Sequence, residues 1–331
     1  MNSLRLLPFL VNLLTIHILQ VISFSSSTVE HVLTRTTPYH YVYDEFRSHN
    51  YSQGKFLTND TTYDYIYYDV KENIVSSGIS ICNENTYLLV LFFVHRMDTT
   101  RRSLIRRYVH QGMVVDGVSI NYAFVVCADK EETGIMTLLE EEGKEHGDLL
   151  ISVHVDTYSN ITLTVLDSFL WVRDHCKEAA FVGKIDGDTW INMKNLVKYL
   201  QTVNRTRYYG GYYCEAVLLP KSSGTRYYVP DDYPPKRWVY NAGGAYVVSR
   251  DVVPYINIGT LFSDLIVHAA EDAMIGGILS KVEILPYRRK NNYILYSNLE
   301  WFPNRTIPSN AVFVHNIKNY SLLAKVYEGS H

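Results

Sequence analysis

The stretch FVGKIDGDTWIN, residues 181–192, sets two carboxylates, Asp186 and Asp188, at the end of an apolar run, with one glycine between them. Carboxylates brought this close repel one another, so a buried strand that ends on such a pair needs a reason to do so. The run itself, AAFVGKI (179–185), is the fourth of a series, after LLVLFFV (88–94), YAFVVCA (122–128) and LLISVHV (149–155). Short continuous apolar runs of this kind read as strands buried on both faces. Between them, TTRRSLIRRYV, TGIMTLLEEEGKEHG and LTVLDSFLWVRDHC read as helices, the last amphipathic, with Leu163, Leu166, Leu170 and Val172 near helical spacing. Strands alternating with helices predict an α/β fold: a mainly parallel sheet flanked by helices. Ligands bind such sheets beyond the carboxyl ends of the strands, which is where the acidic pair lies. On extended backbone, residues 186 and 188 point the same way. Gly187 between them lets a ligand or a loop approach the backbone.

The rest of the composition narrows the class. With 47% hydrophobic and 20% charged residues, the 331-residue chain is globular in character. Its net charge of −3, from 34 acidic and 31 basic residues, gives no electrostatic case for nucleic acid. An apolar stretch, Leu6–Phe24, follows Arg5 and is interrupted by Pro8, Asn12, His17 and Gln20. It reads as a signal-anchor over residues 1–24 or as a cleaved signal peptide ending near Ser23-Phe24-Ser25. Arg5 ahead of it places the N-terminus in the cytoplasm and the bulk of the chain in the lumen. Six N-x-Ser/Thr sequons, at Asn50, Asn59, Asn160, Asn204, Asn304 and Asn319, point to the same secretory route. The four cysteines, Cys82, Cys127, Cys176 and Cys214, form no CxxC. They allow up to two disulfides in an oxidising lumen, with Cys127 equally readable as a small buried hydrophobe. Residues 25–84 are rich in Ser, Thr, Asn and Tyr and read as a stem, with TYDYIYYDV (62–70) as a lone strand. The domain that carries the chemistry is expected over residues 85–331.

Two converging carboxylates attract a hard divalent cation such as Mn²⁺ or Mg²⁺, which completes its shell with phosphate oxygens. Such a site suits a nucleotide diphosphate as leaving group. The bland reading of the same residues is an Asp-Gly turn whose carboxylates cap the helix that follows. Glu271-Asp272, ahead of the apolar run AMIGGIL, is a like-charge pair able to raise a carboxylate's proton affinity toward that of a general base. Equally, it is an ordinary pair of acids at a helix N-terminus. His315 ends the strand-like AVFV. Trp190 reads as core. Tyr227, Tyr228, Tyr233 and Trp238 lie in a Pro-punctuated loop that could line a sugar site or pack over the sheet. Neither a G-x-S-x-G nor an HExxH motif occurs.

Seven blocks in order resemble those of the β-1,3-galactosyltransferase and N-acetylglucosaminyltransferase family, glycosyltransferase family 31, related to the fringe enzymes. RRSLIRRYV (101–109) is similar to RxxIRxTW, with Tyr108 and Val109 for Thr-Trp. EGKEHGDLL (142–150) is similar to E-S-x-x-Y-G-D-I-I, and DTYSNITLTV (156–165) to D-S-Y-x-N-L-T-L-K-T, with Thr164 for the lysine. KIDGDTWIN resembles K-x-D-D-D-x-F-V-N, with Gly187 for the middle aspartate. YNAGGAYVVS (240–249), EDAMIGGIL (271–279) and AVFVHNIK (311–318) resemble the family's later blocks. The resemblance implies a GT-A type, Rossmann-like mixed sheet and an inverting transfer of galactose or N-acetylglucosamine. The donor would be a UDP-sugar, the acceptor a glycan hydroxyl, and the new bond a β-1,3 link. It implies a Mn²⁺-type metal on Asp188 and His315, with Asp186 on the donor ribose and reaching the metal through water. Arg102 and Arg106 would lie near the nucleotide diphosphate. Asp272 would be the base, with Glu271 beside it. A Golgi membrane enzyme of single-pass type II topology follows. A non-catalytic, secreted lectin-like or scaffold protein on a decayed transferase domain is the rival.

Overall fold

The computed structural model describes residues 40–44, 51–58, 61–68, 74–76, 81–157, 160–216, 238–256, 270–288 and 293–329. The chain divides into two compact units, one built from residues 1–46 and 52–66, the other from residues 47–51 and 67–331. The first holds most of a three-stranded sheet ordered β1 (His40–Asp44), β2 (Tyr51–Thr58), β3 (Thr61–Tyr68). Strands β1 and β2 are antiparallel, with His40 opposite Leu57. The strand expected near residue 62 is therefore not alone.

The second unit carries the predicted α/β architecture. Its strands are β4 (Ile74–Ser76), β5 (Thr86–Phe93), β6 (Met113–Val115), β7 (Val118–Ala128), β8 (Leu149–Val153) and β9 (Phe181–Asp186). They continue as β10 (Trp190–Ile191), β11 (Tyr209–Ala216), β12 (Trp238–Ser249), β13 (Ile294–Asn298) and β14 (Ala311–His315). The main sheet runs β11-β12-β9-β5-β7-β8-β4, with β6 beside β7. Its centre, β9-β5-β7-β8, is parallel. These are the four apolar runs read from the sequence. Strands β12 and β4 close the two flanks antiparallel, so the sheet draws its last strand from residues ahead of 85. Leu88 to Phe92 of β5 are wholly inaccessible to solvent, as expected of a strand covered on both faces. A second sheet, β10-β14-β13, pairs β10 with β14 antiparallel.

Helices α1 (Thr99–Tyr108), α2 (Thr133–His146) and α3 (Ile161–His175) lie on the three stretches read as helices; α4 (Met193–Leu200) follows the Asp-Gly turn, α5 (Glu271–Lys281) takes in the run AMIGGIL, and α6 (Tyr320–Glu328) is a helix the sequence does not announce. The Asp98 side chain caps α1 by accepting from the Arg101 backbone N–H at 3.0 Å. Gly147 ends α2 in the left-handed region at φ 68°, where a side chain would be strained. Helix α3 departs from its amphipathic reading, because every residue from Thr162 to Val172 is buried. Its polar residues find partners inside. Asp167 accepts from Ser152 Oγ and meets His154 Nε2, both at 2.6 Å, and Ser168 Oγ donates to the Val165 carbonyl. Cys82 and Cys176 form a disulfide that ties the approach to β5 to the end of α3. Cys127 and Cys214 are free thiols. Among the described residues no helix is long and apolar enough to cross a membrane. Leu6–Phe24 and the loop residues Tyr227, Tyr228 and Tyr233 lie outside those described.

Candidate active site

Strand β9 delivers the acidic pair to the rim of the sheet. Asp186 is its last residue and lies opposite Phe93 of β5. The Gly187 N–H donates to the Phe93 carbonyl at 2.8 Å, and Thr189 N–H donates back to the Asp186 carbonyl at 2.9 Å. Asp186 and Asp188 thus converge through a tight turn rather than through alternation along an extended strand. Glycine is required at 187 by close approach. A Cβ there would lie 2.9 Å from both Val94 Cγ2 and Arg101 Cδ and 3.2 Å from the Phe93 carbonyl oxygen. The loop that approaches is the protein's own.

His315 reaches the pair from the far end of the chain. The β10–β14 pairing sets Trp190 opposite Val314. The Ile317 N–H donates to the Asp188 carbonyl at 2.8 Å, holding the two segments together. His315 Nε2 then stands 3.2 Å from Asp188 Oδ1 and 3.9 Å from Asp186 Oδ2. The three side chains offer ligand atoms within 4.8 Å of one another. Two carboxylate oxygens and an imidazole nitrogen, partly open to solvent, fit a divalent cation. Burial opposes charge on His315. The hydrogen bond and charge of Asp188, with the charge of Asp186, outweigh it and raise its pKa. Burial likewise opposes charge on Asp188, but His315, Arg101 and Lys318 hold its carboxyl below the usual range.

Behind Asp186 stands a residue the sequence reading passed over. Lys184, on the same face of β9, is 1% exposed, and its Nζ donates to Asp186 Oδ1 at 2.7 Å and to the Gly243 carbonyl at 2.6 Å. It also pairs with Glu271 Oε1 at 2.8 Å. Despite burial, the two carboxylates raise its pKa and keep it charged. The available signal was a lone charge in an apolar strand, which has to be paired where the strand is buried. Lys184 joins Asp186, the last residue of β9, to Glu271, the first of α5. Glu271, 5% exposed, is pushed up to about 7 by burial, against Lys184 and with help from Asp272. Asp272 is half-buried. Burial raises its pKa, although the Gly243 and Ala273 N–H groups donate to its two oxygens at 2.9 and 2.8 Å. Of the two acids, Asp272 is therefore the one not tied to a lysine.

A cavity of about 570 Å³ opens beside Asp186, Gly187 and Asp188. Its cationic wall is Arg96, Arg101 and Lys318, and Asp156 and Thr164 line it as well. Arg102 and Arg106 do not. Arg102 is fully buried and donates from Nε to Glu142 Oε1 at 2.8 Å and from Nη1 to the His95 carbonyl at 3.0 Å. Arg106 makes a two-pronged pair with Asp148, both bonds 2.8 Å. Neither arginine expected on the diphosphate lines the cavity next to the acidic pair. Arg101, one residue earlier, does; it donates to the Gly187 and Ile317 carbonyls at 3.2 and 3.3 Å. The helical register explains the exchange. Residues 102 and 106 share the face that turns toward α2, and residue 101 lies off it.

The chain is 33% identical over 178 residues to human UDP-GalNAc:beta-1,3-N-acetylgalactosaminyltransferase 1, covering 51% of this chain and 53% of that protein. It is 27% identical over 210 residues to Beta-1,3-galactosyltransferase 1 of Mus musculus, covering 61% and 62%. The chain thus spans about half to two thirds of the length of the curated relatives it matches. Among solved structures, it is similar to galactosyltransferase LgtC in complex with donor and acceptor sugar analogs. That match has a TM-score of 0.40 at 10% identity and covers 73% of this chain and all of that one. The sequence profile of the galactosyltransferase family matches residues 100–290, more than half of the chain. The chain belongs to the galactosyltransferase family.

Proposed function

We propose that the chain is an inverting hexosyltransferase that moves galactose or an N-acetylhexosamine from a UDP-sugar to a glycan hydroxyl in β-1,3 linkage. Family membership supports the reaction class, and the two relatives supply the linkage. The observation that carries the reading is the convergence of Asp186, Asp188 and His315 beside a cavity, with Asp272 held by the N–H of Gly243, the residue whose carbonyl accepts from Lys184.

Asp186, Asp188 and His315 would hold a divalent cation, Mn²⁺ in our reading, and that cation would offset the charge of the departing diphosphate. Arg101 and Lys318 add positive charge on the cavity wall. Asp272 takes the proton of the acceptor hydroxyl as its oxygen bonds to the anomeric carbon and the UDP oxygen leaves with the electron pair. A sugar hydroxyl is a poor acid, so the base must hold a proton well. The burial of Asp272 supplies that affinity. The N–H groups of Gly243 and Ala273 hold its carboxylate in place and leave further lone pairs for the hydroxyl. Lys184 keeps Glu271 and Asp186 from repelling one another.

The six sequons and the apolar Leu6–Phe24 support a Golgi-lumenal enzyme with an N-terminal membrane anchor. The test is UDP release from UDP-galactose, UDP-N-acetylgalactosamine and UDP-N-acetylglucosamine with Mn²⁺. We expect turnover with one of them, and a fall of about 100-fold or more in Asp188→Asn with unchanged circular dichroism. UDP binding with no turnover of any donor would favour the decayed, lectin-like alternative. Normal turnover by Asp188→Asn would remove the metal assignment.

A further inference from the structure

An aromatic cluster adjoins His315. Tyr296 of β13 stacks at a tilt against His315, with ring centres 6.1 Å apart. Both side chains rest on Gly244. A Cβ there would lie 2.6 Å from the Tyr296 hydroxyl oxygen and 2.8 Å from His315 Cγ. Tyr212 of β11 meets Tyr296 at 5.5 Å and Trp301 at 5.1 Å. Tyr296 is buried, but Tyr212 is 41% exposed and Trp301 54% exposed. Two large rings in contact with each other thus face solvent next to the candidate metal ligands.

Hydrogen bonds hold the turn that carries Trp301. Trp301 sits in a short 3₁₀ turn, Leu299–Trp301, that Asn298 caps by accepting from the Glu300 N–H at 3.1 Å. Asn316, the residue after His315, donates to Glu300 Oε1 at 3.2 Å. The turn carrying Trp301 is therefore fastened to the segment carrying His315. On the other side, Gly243, next to Gly244, donates to Asp272. The aromatic rings and the candidate base flank the same pair of glycines.

We infer that Trp301 and Tyr212, backed by Tyr296, form the platform on which a hexopyranose of the acceptor glycan lies with its apolar C–H face down. The inference rests on the transferase reading and adds the acceptor subsite to it. A pyranose presents a patch of C–H bonds on one face and hydroxyls around its edge. A preorganised aromatic surface takes up that face at little entropic cost and leaves the hydroxyls free to reach Asp272. Two exposed rings in contact with one another form a contiguous apolar patch, and such a patch beside a site marks a surface for a ligand. Continuity with Asp272 through the glycine pair makes that partner the sugar to be modified.

The experiment is saturation-transfer NMR on the full chain with diamagnetic Mg²⁺ and UDP, using methyl β-galactopyranoside and methyl β-N-acetylglucosaminide as probes. Ring C–H protons of at least one probe are expected to be saturated. The signal should be lost in Trp301→Ala, weakened in Tyr212→Ala and kept in Trp301→Phe. Where turnover is found, the acceptor KM should rise about tenfold in Trp301→Ala, with a smaller change in kcat. UDP binding serves as the check that each variant is folded. Equal saturation in Trp301→Ala and the unsubstituted chain would overturn the platform, as would the absence of saturation with either probe. Saturation without UDP release from any donor would leave the platform standing and sink the transferase reading. Turnover insensitive to Trp301 would do the reverse.

Discussion

The chain holds two groups of buried cations and carboxylates, one around Lys184 and one around Arg102 and Arg106, and they are built to different ends. In one, Lys184 is bonded to Asp186, Glu271 and the Gly243 carbonyl, yet Asp186 keeps its second oxygen turned toward His315 and about a third of its side chain exposed. In the other, Arg102 and Arg106 meet Glu142 and Asp148 in paired hydrogen bonds, and Tyr122 also donates to Asp148 at 3.0 Å. The arginine group leaves little acceptor capacity over; the lysine group ends in a carboxylate still able to bind. A buried ion pair that satisfies itself fixes the packing of α1 against α2 and β8. One that stops short is a site in waiting.

The sharpest way to break this contrast is to remove the cation from each. Lys184→Met leaves Glu271 and Asp186 near one another without their shared partner. Loss of one member of a buried pair costs about 3–5 kcal/mol. We expect thermal unfolding to shift down accordingly, and metal-dependent UDP release to fall about 100-fold at a temperature where the variant is folded. Unchanged release would mean that Lys184 only fills space.

Arg102→Met is the matching change on the other side. It strands Glu142, which is 14% exposed and keeps Arg106 as a second partner, so the loss should be about 3 kcal/mol. UDP affinity in the folded variant should stay within about twofold of the parent, measured by calorimetry. A loss of UDP binding as large as that of Asp188→Asn would return Arg102 to the diphosphate.

The same contrast marks what the sequence could tell. The four central strands were legible because a strand buried on both faces has only one way to read, as an unbroken apolar run. Helix α3 was misread because Thr162, Thr164, Asp167 and Ser168 look like a solvent face, whereas all four are buried, Asp167 accepts from Ser152 of β8, and Thr164 and Ser168 donate to backbone carbonyls of their own segment. Asp186 and Asp188 were legible from spacing, and His315 only from resemblance, since nothing local brings β14 beside β9. The blocks RRSLIRRYV and EGKEHGDLL were both visible, but not that each is the other's partner. A sequence displays its charges without showing whether they are already matched. Lys184 is the converse case: its partners, Asp186 and Glu271, were both named, and the cation that binds them together lay unread inside the apolar run.

The mildest probe of the open group is pH, and here two signs oppose. In the metal-free protein, the His315 pKa is raised above its ordinary 6.5, with Asp188 and Asp186 outweighing burial. A raised pKa adds stability that is complete below 6.5 and fades as pH climbs through the folded value. Metal binding requires the neutral imidazole, so a proton must leave. Apparent Mn²⁺ affinity should therefore rise about tenfold per pH unit below the folded pKa of His315 and level off above it. Across one and the same window the metal-free chain loses stability while its affinity for the cation grows. Calorimetric Mn²⁺ titrations from acid to mildly alkaline pH, run beside metal-free melting curves, would display the crossing. His315→Gln, which cannot be protonated, should flatten both trends. An affinity independent of pH in the parent chain would take His315 out of the ligand set and leave the two aspartates as an open group with no third member.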